Sequence, residues 1–202
     1  INGAGDNVVT FGAVGLVNIT TGSVSIRNGL GDNDVTINDT TIFRDLTIAN
    51  GPTNTGNSIT VGNLDSVTVG RNVTITDGSG DSTVTLNDLA ITGSLSFRGM
   101  AGMDDLTLGS LFAVTGVTNI DTGADDDTVD ILSGADLSTG KVTINLGAGD
   151  DNLTIAAAGT AFNLLTPNFA FEGGLGGSDT LDTNVVLTVA QLKKVKGFES
   201  IV

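Results

Sequence analysis

The stretch Gly147-Ala148-Gly149-Asp150-Asp151-Asn152-Leu153-Thr154-Ile155 (GAGDDNLTI, 147–155) decides the fold. A glycine-rich turn runs into two carboxylates, and then Leu153, Thr154 and Ile155 alternate apolar and polar, the period of a strand. The phrase returns as GLGDNDVTI at 29–37 and GSGDSTVTL at 78–86. The first apolar residue after each such turn is Val9, Val35, Ile59, Val84, Leu106, Val129, Leu153 or Leu181, at spacings of 26, 24, 25, 22, 23, 24 and 28. A second apolar residue stands two places on, from Phe11 to Ile155; the last unit breaks the rule with Thr183.

Each unit holds more than one short alternating segment. One ends shortly before the next turn: Val24–Ile26, Leu46–Ile48, Val73–Ile75, Leu95–Phe97, Val142–Ile144 and Phe169–Phe171. A weaker one lies between, as in Val17-Asn18-Ile19 and Val67-Thr68-Val69. Three strands in about 24 residues, with one turn recurring in phase, fit one coil of a three-faced parallel β-helix. A two-faced roll would need fewer residues per coil, and sandwich hairpins would vary their turns. The expectation is an all-β, single-domain β-solenoid over 1–202 with about eight coils, roughly 40 Å long at ~4.8 Å per coil. The rule for parallel crossovers favours right-handed winding. The chain starts inside a repeat, which reads as a fragment of a longer protein or an excised module.

Composition narrows the chemistry. The 202 residues include no His, Cys, Trp or Tyr, which excludes imidazole bases, thiol nucleophiles, disulfides and the usual aromatic sugar platforms. Net charge is −15 with only 8 basic residues, so phosphate backbones and anionic membranes would be repelled, and cations are the natural partners. No apolar run is long enough to span a membrane.

Aligned on the apolar anchor, the position two before it reads Asn7, Asn33, Asn57, Ser82, Asp104, Asp127, Asp151, Asp179. One place earlier stand Asp6, Asp32, Gly56, Asp81, Met103, Asp126, Asp150 and Ser178. These turns resemble the haemolysin-type calcium-binding (repeats-in-toxin) nonapeptide G-G-x-G-x-D-x-U-x, with Asp151 on the calcium Asp and Leu153 on the apolar U. In the same register Asp104, Asp127 and Asp179 fall on the metal Asp. The resemblance implies Ca²⁺ enclosed by Asp carboxylates and Gly-region carbonyls of stacked turns, with Asp126 and Asp150 in the densest acidic cluster. This chain departs from the family in showing the phrase once per coil, usually without the first Gly.

Two readings compete for these columns. Carboxylates stacked about 5 Å apart repel by about 0.8 kcal/mol in bulk water and about 3 kcal/mol at an effective dielectric of 20, a penalty that oxygen-ligated Ca²⁺ would reverse. Alternatively, Asn and Asp bond their own turn and each other as a ladder. The ladder is the expectation for Asn7, Asn33 and Asn57, and a solvated outward turn for Asp6, Asp32 and Asp81.

The wider texture resembles exported bacterial β-solenoid adhesins and stalks. The expected role is a structural or adhesive module at the cell surface or in an extracellular matrix, with calcium, and a surface glycan or protein receptor, as partners. End-to-end association, or continuation of the stack at the N-terminal end, is a further expectation. A carbohydrate-binding module and a calcium-dependent polysaccharide lyase are the alternatives. Arg44 and Arg71 hold matching places on consecutive coils and would supply a lyase base; their scarcity and the lack of long cleft-walling loops argue for no enzyme. A single Thr row on a strand face suits solubility and β-propensity better than ice binding, and the sequons at Asn18, Asn38, Asn72 and Asn152 carry no weight. Near the end, Thr188-Val-Ala-Gln191 has the form of a capping box, which predicts a short helical cap over 188–197 closed by Gly197.

Overall fold

The computed structural model describes residues 2–12, 19–51, 56–137, 140–156, 168–183 and 187–202. Within them the chain winds through three stacked sheets, every pairing parallel, in about seven turns of about 24 residues.

The first sheet has nine strands among the described residues: Asn7–Phe11, Asn33–Ile37, Asn57–Val61, Ser82–Leu86, Asp104–Leu108, Thr128–Ile131, Asn152–Ile155, Thr180–Thr183 and Ser200–Ile201, neighbours in that order. Its register is the one the repeat predicts. Val9 pairs Val35, then Ile59, Val84, Leu106, Val129, Leu153 and Leu181 follow one above the other. The second sheet runs from Ile19–Thr21 through Thr40–Ile42, Val67–Val69 and Leu89–Ile91 to Ala113–Val114. The third takes Val24–Arg27, Leu46–Ala49, Val73–Thr76, Leu95–Arg98, Thr118–Ala124, Val142–Ala148, Phe169–Gly174 and Val195–Lys196.

Strand alternation sets what is inside. Val35 and Ile37, Val84 and Leu86, Leu106 and Leu108 are buried, with polar neighbours turned outward. One contiguous core runs the length of the stack, from Val24 to Leu181. Each fully buried side chain in it contributes about 1.5–3 kcal/mol. The outward face of the first sheet carries Asp34, Ser58, Thr83 and Asp105 in one row and Thr36, Thr60, Thr85 and Thr107 in the next.

Three local findings differ from the sequence expectation. The fifth winding has a third-sheet strand, Thr118–Ala124, that periodicity did not show, because its first inward place is the buried Thr118. The helical turn Val189–Leu192 forms with the expected capping box between Thr188 and Gln191, but none of its residues is buried. Leu187, Val195 and Phe198 meet the core instead. Gly197 does not close the helix; it follows Val195–Lys196, which pairs with the third sheet, and Ser200–Ile201 then continues the first. The stack has about seven turns, against the eight expected. Of the middle segments, Val17 and Asn18 lie outside the described residues.

Candidate functional site

The corner between the third and first sheets concentrates the polar residues. Because side chains alternate along a strand, the residue two before each anchor points the same way as the anchor: inward. Asn33, Asn57, Ser82, Asp104, Asp127, Asp151 and Asp179 are accordingly buried, all at 5 % exposure or less. Asp126 and Asp150, one place earlier, are exposed. The six residues expected around calcium are therefore divided between an inner column (Asp104, Asp127, Asp151, Asp179) and an outer one. Among the described residues no three carboxylates converge as a metal-holding group.

Both columns bond the backbone of a neighbouring winding, in opposite directions. Inner oxygens accept from the preceding winding: Asp104 N–H donates to Asp127 at 2.8 Å, Asp127 N–H to Asp151 at 2.8 Å, and Asp151 N–H to Asp179 at 3.0 Å. Outer oxygens accept from the following one: Asp32 N–H donates to Asp6 at 3.1 Å, Met103 N–H to Asp81 at 2.9 Å, Asp150 N–H to Asp126 at 2.8 Å, and Ser178 N–H to Asp150 at 2.9 Å. The turns at 32–33, 103–104, 150–151 and 178–179 are thus gripped from both sides, at amides that would otherwise be unpaired. Asp6 and Asp81 are exposed, as the sequence suggested, whereas Asp32 is half-buried; the interwinding bond is the additional role of Asp6 and Asp81.

In the first windings the inner column is an amide ladder, as expected for the asparagines. Asn7 donates through Nδ2 to Asn33 Oδ1 at 2.7 Å, and Asn33 to Asn57 at 2.9 Å. Each also reaches back to its own turn, Asn7 to the Gly5 carbonyl at 2.6 Å and Asn33 to that of Gly31 at 2.7 Å. Ser82 passes the ladder on by donating its hydroxyl to Asp104.

From Asp104 onward the column is acidic, and one oxygen lacks a partner at three of its groups. The Oδ2 atoms of Asp104, Asp127 and Asp151 are buried with no hydrogen bond. Burial is the main cause of a raised pKa at all three: Asp104 rises to about 8, Asp127 to about 7 and Asp151 to about 6. The Ser82 hydroxyl opposes the rise at Asp104, and the donated amides of Asp104 and Asp127 oppose it at Asp127 and Asp151. Charges one winding away, such as Asp179 beside Asp151, add to it. On the outer face Asp105 is also raised, by desolvation and then by Asp130.

A facing column explains the space around these groups. At the ends of the third-sheet strands stand Asn28, Asn50, Asp77, Gly99, Thr122, Leu146 and Gly173. A Cβ on Gly99 would sit 2.1 Å from Asp104 Oδ2 and 1.9 Å from the Thr122 carbonyl oxygen. The Asp104 carboxylate and the Thr122 carbonyl therefore close directly against Gly99, which leaves no room for a side chain at that place.

Sequence reasoning missed two members of the corner. Asp77 accepts from Asn57 Nδ2 at 2.6 Å, and Glu199 accepts the Asp179 N–H at 2.8 Å, extending the inner column one step. Arg44 and Arg71 do stack on adjacent windings, with Arg71 N–H donating to the Arg44 carbonyl at 2.9 Å, and both are exposed. Comparison of the chain with protein-family models, curated proteins and solved structures finds no match.

Proposed function

We propose that the protein is a structural or adhesive module of an exported bacterial surface or matrix protein: a stiff spacer that presents a polar face. The observation that supports this is the buried polar column lining one corner of the stack, whose side chains bond the turns of neighbouring windings. The outward Asp, Ser and Thr rows of the first sheet form the surface offered to a glycan or protein receptor. In this reading the chain has no catalytic role, and Arg44 and Arg71 are surface charges of a scaffold.

Calcium belongs to the same proposal. Asp104, Asp127, Asp151 and Asp179 are the residues that would hold it, and the buried unpartnered oxygens of the first three support the assignment. A bound divalent ion would supply the positive charge this column lacks and would stabilise only the folded state. Asp126 and Asp150 face the other way and serve the backbone.

Small-angle scattering tests the spacer reading. A rigid rod with a cross-section unchanged by temperature, up to the melting transition, is expected. A flexible or collapsed particle under native conditions would refute it.

A further inference from the structure

The facing column carries a chemistry that the spacer role does not use. Its first three members are Asn2, Asn28 and Asn50, and each is followed by glycine: Gly3, Gly29 and Gly51. The fourth is Asp77, followed by Gly78. Asn-Gly is the dipeptide in which the following backbone nitrogen reaches the side-chain carbonyl with least hindrance, because glycine has no Cβ.

Stacking forces this pairing. The asparagines are needed as both donor and acceptor: Asn2 Nδ2 donates to Asn28 Oδ1 at 2.6 Å, Asn28 to Asn50 at 2.8 Å, and Asn50 to Asp77 at 3.1 Å. The glycines are needed because the windings touch. A Cβ on Gly29 would lie 2.5 Å from the Gly3 carbonyl oxygen, and one on Gly51 would lie 2.6 Å from that of Gly29. Asp77 can end the column because it only accepts, taking Asn50, Asn57 and the Gly78 N–H on one oxygen.

We propose that Asn28 and Asn50 are latent deamidation sites, held inert by the stacked amide column, so that conversion of one rung loosens the next. In each event the glycine nitrogen attacks the asparagine Cγ. The N–Cγ bond forms, the Cγ–Nδ2 bond breaks, and the backbone proton leaves with the amide nitrogen as ammonia. Water then opens the cyclic imide at either carbonyl, giving aspartate or isoaspartate. The folded column blocks the first step at Asn28 and Asn50, which are buried and bonded at both ends of the amide. Conversion of Asn28 replaces its Nδ2 donor with a carboxylate that faces Asn50 Oδ1. The next amide is then freed to react, and each step adds one negative charge.

The test is peptide mapping by mass spectrometry, with an isoaspartate-specific methyltransferase as reporter, after incubation at mildly alkaline pH. In urea both sites should convert at similar rates. In the folded chain each should convert at least about tenfold more slowly than in urea, because reaction there requires local opening. The Asn28→Asp variant should raise the Asn50 rate several-fold in the folded chain. Conversion of Asn28 and Asn50 at the urea rate in the native protein, no effect of Asn28→Asp, or no conversion in urea would each overturn the proposal.

Discussion

The backbone N–H of Asp127 donates to the carboxylate of Asp151, 24 positions later in the chain, at 2.8 Å. An acidic side chain here does the work of a ladder hydrogen bond at a corner, where the strands have not yet begun to pair. That relationship makes distinct demands on the two carboxylate oxygens: one must accept, and the other is left unused.

Asp127→Asn and Asp127→Ala separate those demands. Asparagine keeps the acceptor for the Asp104 N–H, and Asn33 and Asn57 fill the same place in earlier windings. Alanine leaves that buried amide unpaired, at about 1–3 kcal/mol. Calorimetry should show the alanine variant melting several degrees below the asparagine variant, on the order of 2–4 °C per kcal/mol. Equal melting temperatures would show that the interwinding bond contributes nothing.

Stability should fall as pH rises from 5 to 8. Asp104, Asp127 and Asp151 keep their protons to about 8, 7 and 6 when folded, against an ordinary value of 3.8. Between those limits the folded chain binds more protons than the unfolded one, so proton binding favours folding. The contribution is complete below about pH 4 and is lost through the folded values. Melting at constant ionic strength in the absence of divalent ions checks this; a melting temperature that climbs from pH 5 to 8 contradicts it.

Calcium and protons would compete for the same column. Added calcium should therefore raise the melting temperature more at pH 8 than at pH 5, and a chelator should reverse it. The double variant Asp127→Asn/Asp151→Asn should lose the response. Identical curves with millimolar calcium and with chelator would dismiss the ion.

Glycine 147 offers a packing test. It has φ +105°, and a Cβ there would lie 1.9 Å from the Gly123 carbonyl oxygen, in a column of Gly123, Gly147 and Gly174. Gly147→Ala combines backbone strain with collision and should cost roughly 2–5 kcal/mol. Gly176 has φ +97° but open space around its missing Cβ, so Gly176→Ala should cost only about 1–2 kcal/mol. Urea midpoints compare the two, and similar losses would mean that close stacking is not what the turn glycines serve.

The windings were legible because the inward anchors are apolar and recur in phase: Val9 through Leu181 stack as their spacing implied. Thr118 hid its strand by placing a hydroxyl at an inward position. Val195–Lys196 and Ser200–Ile201 are too short to show a period. The corner was half legible. Residue type announced the columns, but whether Asp126 and Asp127 pointed together or apart depended on where the strand's alternation begins. Asp77 and Glu199 joined the corner through spatial neighbours that no local phrase reveals.

The opposed bonding of the two acidic columns has an evolutionary corollary. Asp104, Asp127 and Asp151 each accept from the winding before, and Asp81, Asp126 and Asp150 from the winding after, so neighbouring repeats in this part of the stack meet through like contacts. Whole repeats can be duplicated or excised in register with little disturbance, whereas a cut within one strands half of its partners. Length in such an architecture is a quantity that genetic recombination can set in steps of one repeat.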